Sequence, residues 1–137
     1  MSRKVLPALA FVLAAMGCGP SATPSATAMP SSEFGPATWA LDPAFSPPDP
    51  TARELHVLVW ERACASGKPT TGRMSEPSIV VGTTTMSITI GVRPLAGAQE
   101  CPGTPGTPAT VTLPEPLGSR TLLDGGNNPP APPRAPY

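Results

Sequence analysis

The chain has 137 residues, 13% of them charged, with nine basic and nine acidic side chains and a formal net charge of zero. Charge is thin against the usual content of about 25%, and no basic cluster is available to neutralise a run of phosphates, which argues against nucleic-acid binding. The 22 prolines and 13 glycines make up a quarter of the chain, a fraction typical of low-complexity sequence, but they are unevenly spread and so delimit a domain.

The chain opens on Ser2-Arg3-Lys4 followed by an apolar run from Val5 to Gly17. A basic start, a short apolar stretch and small residues before a cut describe a secretory signal peptide over residues 1–17. Thirteen residues that include Pro7 are too few to cross about 30 Å of hydrocarbon. The stretch Leu13-Ala14-Ala15-Met16-Gly17-Cys18 resembles the lipobox of bacterial lipoproteins, which implies lipidation of Cys18 and a cell-envelope location. Ala15 stands where that family usually has Leu. Ala15-Met16-Gly17 and Ala26-Thr27-Ala28 also read as small-x-small sites for ordinary cleavage, which would give an unanchored secreted protein. Removing residues 1–17 takes away Arg3 and Lys4 and leaves seven basic against nine acidic side chains.

Residues 19–50 hold eight prolines among Ser, Ala and Thr. Each proline fixes φ and removes a donor, so the expectation for 18–50 is the attachment Cys followed by an extended tether, with Trp39 exposed by composition and able to dock on its own domain or a partner, its own domain first. The small domain is expected over residues 51–124. With Cys18 assigned to lipid, Cys64 and Cys101 remain, an exported compartment permits a disulfide, and two cysteines allow one intramolecular pairing. A core this small commonly needs such a staple.

Within the domain, Glu54 to Arg62 is short and rich in β-branched and aromatic residues, and both of its faces are largely apolar. It reads as a central strand with Trp60 in the core. Cys64 to Arg73, with two glycines and one proline, reads as a loop. Ser78 to Gly82 is a short strand, Thr83-Thr84-Thr85 a turn, and Met86, Ile88, Ile90 and Val92 alternate with Ser87, Thr89 and Gly91. That period of two predicts a strand with one face on the core, and the pair predicts a hairpin. Gly97 to Pro108 is read as irregular, followed by strands at Thr110–Leu113 and Arg120–Leu123. No segment of the domain shows helical periodicity. The expectation is therefore an all-β small antiparallel sandwich or open barrel of four to five strands with one disulfide. Residues 125–137 read as a disordered Pro-rich tail.

The pieces Cys64-Ala65-Ser66-Gly67, Gly72-Arg73, Gly91-Val92-Arg93-Pro94, Cys101-Pro102, Pro116-Leu117-Gly118-Ser119-Arg120 and Leu123-Asp124-Gly125 resemble small exported proteins of high-GC bacteria. The resemblance covers roughly residues 54–125. It implies an extracytoplasmic domain with a cysteine pair and carries no activity.

Chemistry is sparse. His56, the single histidine, sits in an apolar strand, and Ser66 lies in a turn without a nucleophile-elbow context. Gly67-Lys68-Pro69 lacks the features of a phosphate loop. Carboxylates are scattered singly, and one His with two distant Cys is a poor metal set, so no catalytic residue, metal or cofactor is assigned. Arg73, Arg93 and Arg120 each follow a turn or strand end. They are candidates for a face that recognises carboxylate or phosphate groups, against the plainer reading that they cap loops by bonding backbone carbonyls or pair with Glu76, Glu100 or Asp124. The expected function is a lipid-anchored envelope protein with a binding or structural domain. Its partners would be the membrane, through acyl chains on Cys18, and a protein or envelope ligand. A secreted enzyme or enzyme inhibitor is the alternative.

Overall fold

Strand β1, Gly35–Leu41, runs through the stretch whose composition predicted a tether. The structure, a computed structural model, describes residues 33–136; the predicted leader, Cys18 and the first part of the predicted tether lie outside the described residues. Among the described residues seven strands run in chain order, β1, β2 (Glu54–Glu61), β3 (Ser78–Val81), β4 (Thr85–Thr89), β5 (Gly91–Val92), β6 (Thr107–Thr112) and β7 (Thr121–Asp124), with a single 3-10 turn at Pro43–Phe45. The expected all-β architecture with a Cys64–Cys101 disulfide is what is found.

β1 corrects the expected tether, and the reason is local. Pro36 sits at the start of the strand, where a missing donor costs little. Ala37, Trp39 and Leu41 then alternate with Thr38 and Ala40 and turn into the core. Trp39 is fully buried, not exposed, and its indole N–H donates to the carbonyl of Ile88 at 3.0 Å.

The first sheet has the order β5-β1-β2-β6 and is antiparallel throughout; it curls as a half-barrel. β2 is central, as its two apolar faces predicted, with Leu55, Val57 and Val59 buried on the core side. β6 begins earlier than expected because Pro108, opposite Leu58, lies on an edge strand, where proline is tolerated. The second sheet has the order β3-β4-β7. β3 and β4 form the predicted hairpin, while β4 and β7 pair in parallel, a departure from the antiparallel expectation. The alternating segment 86–92 is split at Ile90: β4 belongs to the second sheet, and β5 crosses to pair with β1 in the first. Met86, Ile88, Ile90 and Val92 all stay buried through that crossing, which joins the two sheets around one core.

The tail is also corrected. Ala131 exchanges backbone hydrogen bonds with Asp124, and the Arg134 N–H donates to the carbonyl of Trp39 at 3.1 Å. β5 pairs only with Gly35 and Pro36, so the β1 edge beyond them presents polar groups that need partners. Prolines cannot donate, but the interspersed Ala131 and Arg134 can. Residues 125–136 therefore return along the domain as a strap.

Candidate functional site

The C-terminal end of β2 carries Trp60, Glu61 and Arg62 toward Cys64. Trp60 points away from the main core but is only 9% exposed. Its indole N–H donates to the carbonyl of Thr104 at 3.1 Å. Gly106 packs so closely that a Cβ there would lie 2.5 Å from the Trp60 ring and 2.8 Å from Leu58, a separation only a glycine allows. The Arg134 guanidinium lies 4.3 Å from the ring centroid, in cation–π range.

The Cys64–Cys101 disulfide pins the loop before β6 against the end of β2. Ser66 reinforces it: its N–H donates to the Glu100 carbonyl at 2.8 Å, and its Oγ bonds Gln99 and accepts from the Glu100 N–H. The result is a cleft of about 570 Å³ between the disulfide, Trp60, Arg62, Thr38, the Pro102–Thr104 loop and Arg134. Four pieces distant in sequence build it: β1, the end of β2, the loop before β6 and the strap.

Charge in the cleft is set by pairing. Glu61 is buried and bonded by both terminal nitrogens of Arg73, whose guanidinium is held above its ordinary pKa chiefly by that hydrogen bond. Arg73 also donates to the carbonyls of Arg93 and Pro69. Arg62 donates to the side-chain oxygen of Asn127, leaving the cleft lined by two guanidinium groups, Arg62 and Arg134, and one neutralised acid.

The three arginines read as a recognition face hold loops in place. Arg73 closes the pair just described. Arg93 bridges Glu33 at 2.7 Å and lies 5.2 Å from the centre of the Phe34 ring. Arg120 bonds Glu115 and the carbonyls of Gly82, Pro116 and Leu117. Arg73 and Arg120 bond loop carbonyls, as the plainer reading expected, but the acids paired with the three are Glu61, Glu33 and Glu115 and not the expected Glu76, Glu100 or Asp124. His56 and Ser66 are likewise held apart. His56 stacks on Phe45 with ring centres 4.0 Å apart. It is five residues before Glu61 in β2, about 16 Å of strand, while Ser66 lies beyond the far end. Among the described residues, no group of three or more His, Cys, Asp or Glu is placed to hold a metal ion. The Trp60 cleft was not legible in the sequence. The available hints were Arg134, the one charge in the tail, and Trp60 four residues before a cysteine.

Asp124, at the end of β7, is the anchor of the strap. Its carboxylate is buried and accepts the N–H groups of Gly126, at 2.9 Å, and of Trp39. Burial raises its pKa above the ordinary carboxylate range, against the lowering effect of these bonds and of Arg62. A raised folded-state pKa means the folded chain holds the proton more tightly than the unfolded one. The resulting stability is fully present below the ordinary Asp value of about 3.9 and is lost as pH rises through the higher folded-state value. In thermal melts between pH 7 and 4, the wild type should gain stability relative to Asp124→Asn as pH falls. A difference between the two that is independent of pH would contradict this.

No family model, curated protein or solved structure matches the chain.

Proposed function

We propose that this chain is a non-catalytic binding module of the bacterial cell envelope, anchored by acyl chains on Cys18 and presenting the Trp60 cleft to a protein or envelope ligand. The observation that supports it best is the cleft. Its walls come from β1, the end of β2 and the loop before β6, with Arg134 of the C-terminal strap over Trp60, and a disulfide and a backbone hydrogen-bond set hold the loop. A concave site fixed in advance lowers the ordering cost of binding.

The anchor rests on the lipobox-like Ala15-Met16-Gly17-Cys18, and a disulfide is compatible with an oxidising compartment. Because β1 starts at Gly35, the spacer is shorter than composition predicted. Residues 19–34 could reach at most about 55 Å from the lipid. Two acyl chains would make attachment stable where one alone is marginal.

Intact mass of the exported full chain tests the anchor. A chain beginning at Cys18 with diacylglycerol and acyl mass is expected, and Cys18→Ala should move the protein from the membrane to the soluble fraction. An unmodified N-terminus at another residue would establish the secreted alternative instead.

A further inference from the structure

We propose that the Trp60 cleft recognises a proline-rich, arginine-bearing segment of a partner protein, and that the chain's own Arg134, carried by the C-terminal strap, holds the Trp60 face as an internal ligand. This rests on the reading of the cleft as a binding site.

The chemistry of the occupant is visible in the structure. The Arg134 guanidinium covers the Trp60 ring at 4.3 Å, and a planar, weakly hydrated cation suits an indole face better than an ammonium does. The ring is held ready for it, because its N–H is fixed by the Thr104 carbonyl and Gly106 packs closely against it. The segment that delivers the arginine is Asn128-Pro129-Pro130-Ala131-Pro132-Pro133-Arg134-Ala135-Pro136. Five prolines restrict φ in advance, so little conformational freedom is lost on docking, and such segments commonly bind to aromatic surfaces. Backbone bonding comes from the residues between them: Ala131 with Asp124, and Arg134 with Trp39. A partner segment needs one guanidinium, delivered by a backbone that prolines hold extended. Arg62 on the rim disfavours a second cation beside the first.

An internal ligand acts at a high effective concentration, so a partner must displace it and a weakened internal contact should reveal the site. The test uses the full-length chain and its Arg134→Ala variant, which keeps the backbone N–H bonded to Trp39. The probe is a capped synthetic peptide of residues 128–137, compared with the same peptide carrying Arg134→Ala. The two indole N–H signals are followed by NMR, with Trp39 reporting the fold and Trp60 the cleft. The arginine peptide should shift Trp60 saturably, with at least about tenfold tighter apparent affinity for the variant than for the wild type, a gain expected from removing competition. Equal shifts from both peptides would overturn the proposal while leaving the cleft as a binding site. No Trp60 shift at millimolar peptide would overturn the proposal outright. If the variant loses the Trp39 signal, the same comparison on the wild type decides the matter: the arginine peptide alone should move Trp60, and equal responses would refute the proposal. None of these outcomes depends on whether Cys18 is lipidated.

Discussion

Trp39→Ala should destabilise the domain by about 3–5 kcal/mol, the range for deleting a large aromatic side chain from a packed core. The residue is fully buried among Val57, Val59, Ile88 and neighbouring core side chains. Its loss would also leave a cavity and free the Ile88 carbonyl of one of its two bonds, the other coming from Gly125 N–H. Small domains have total stabilities of about 5–15 kcal/mol, so this one change removes about a fifth or more. Urea melts followed by far-ultraviolet circular dichroism would measure it. A tryptophan in a solvated tether would give a change within about 0.5 kcal/mol, and that result would mean β1 is not part of the folded unit.

The second large effect is expected at the disulfide. Cys64 and Cys101 are 37 residues apart, and closing a loop of that length restricts the unfolded chain enough to contribute roughly 3–4 kcal/mol at 25 °C in the chain-entropy account. Cys64→Ser with Cys101→Ser should therefore lower the melting temperature by some 4–8 °C for each kcal/mol lost. The change also has a local signature. The loop carrying Thr104 and Gly106 would lose its covalent hold beside Trp60, so Trp60 should become more exposed below the melting transition. A red-shifted tryptophan emission in the folded double variant would show it. Unchanged emission and an unchanged melting temperature would mean the loop is held by its hydrogen bonds alone.

The elements legible in the sequence carried different marks: alternation over 86–92 for β4, two largely apolar faces for β2, and short runs between turn residues for β3, β7 and the second half of β6. β1 was hidden because its alternation, Ala37, Trp39, Leu41, lies within a window averaged over eight prolines, of which only Pro36 is inside the strand. The break at Ile90 carries no sequence mark, since every inward residue of 86–92 remains inward on both sides of it. The parallel pairing of β7 with β4 is a matter of topology, which periodicity does not encode. The strap was missed for a different reason. Proline content excludes regular ladders but not isolated bonds, and two N–H groups, of Ala131 and Arg134, are enough to dock it. The disulfide needed only the cysteine count and the assignment of Cys18. The cleft needed three-dimensional contacts among residues 38, 60–65, 101–104 and 134.

The strap is seated against β1 at Arg134, which places that side chain at the Trp60 cleft. Amide hydrogen exchange at Arg134 in the full-length oxidised chain tests it most directly, because that N–H has Trp39 O as its partner. Protection of roughly a hundredfold over an unstructured chain is expected, corresponding to a local opening free energy of about 3 kcal/mol. Exchange of Arg134 at the unstructured rate, with Trp39 still protected, would show a folded domain whose strap is not seated, and would contradict it.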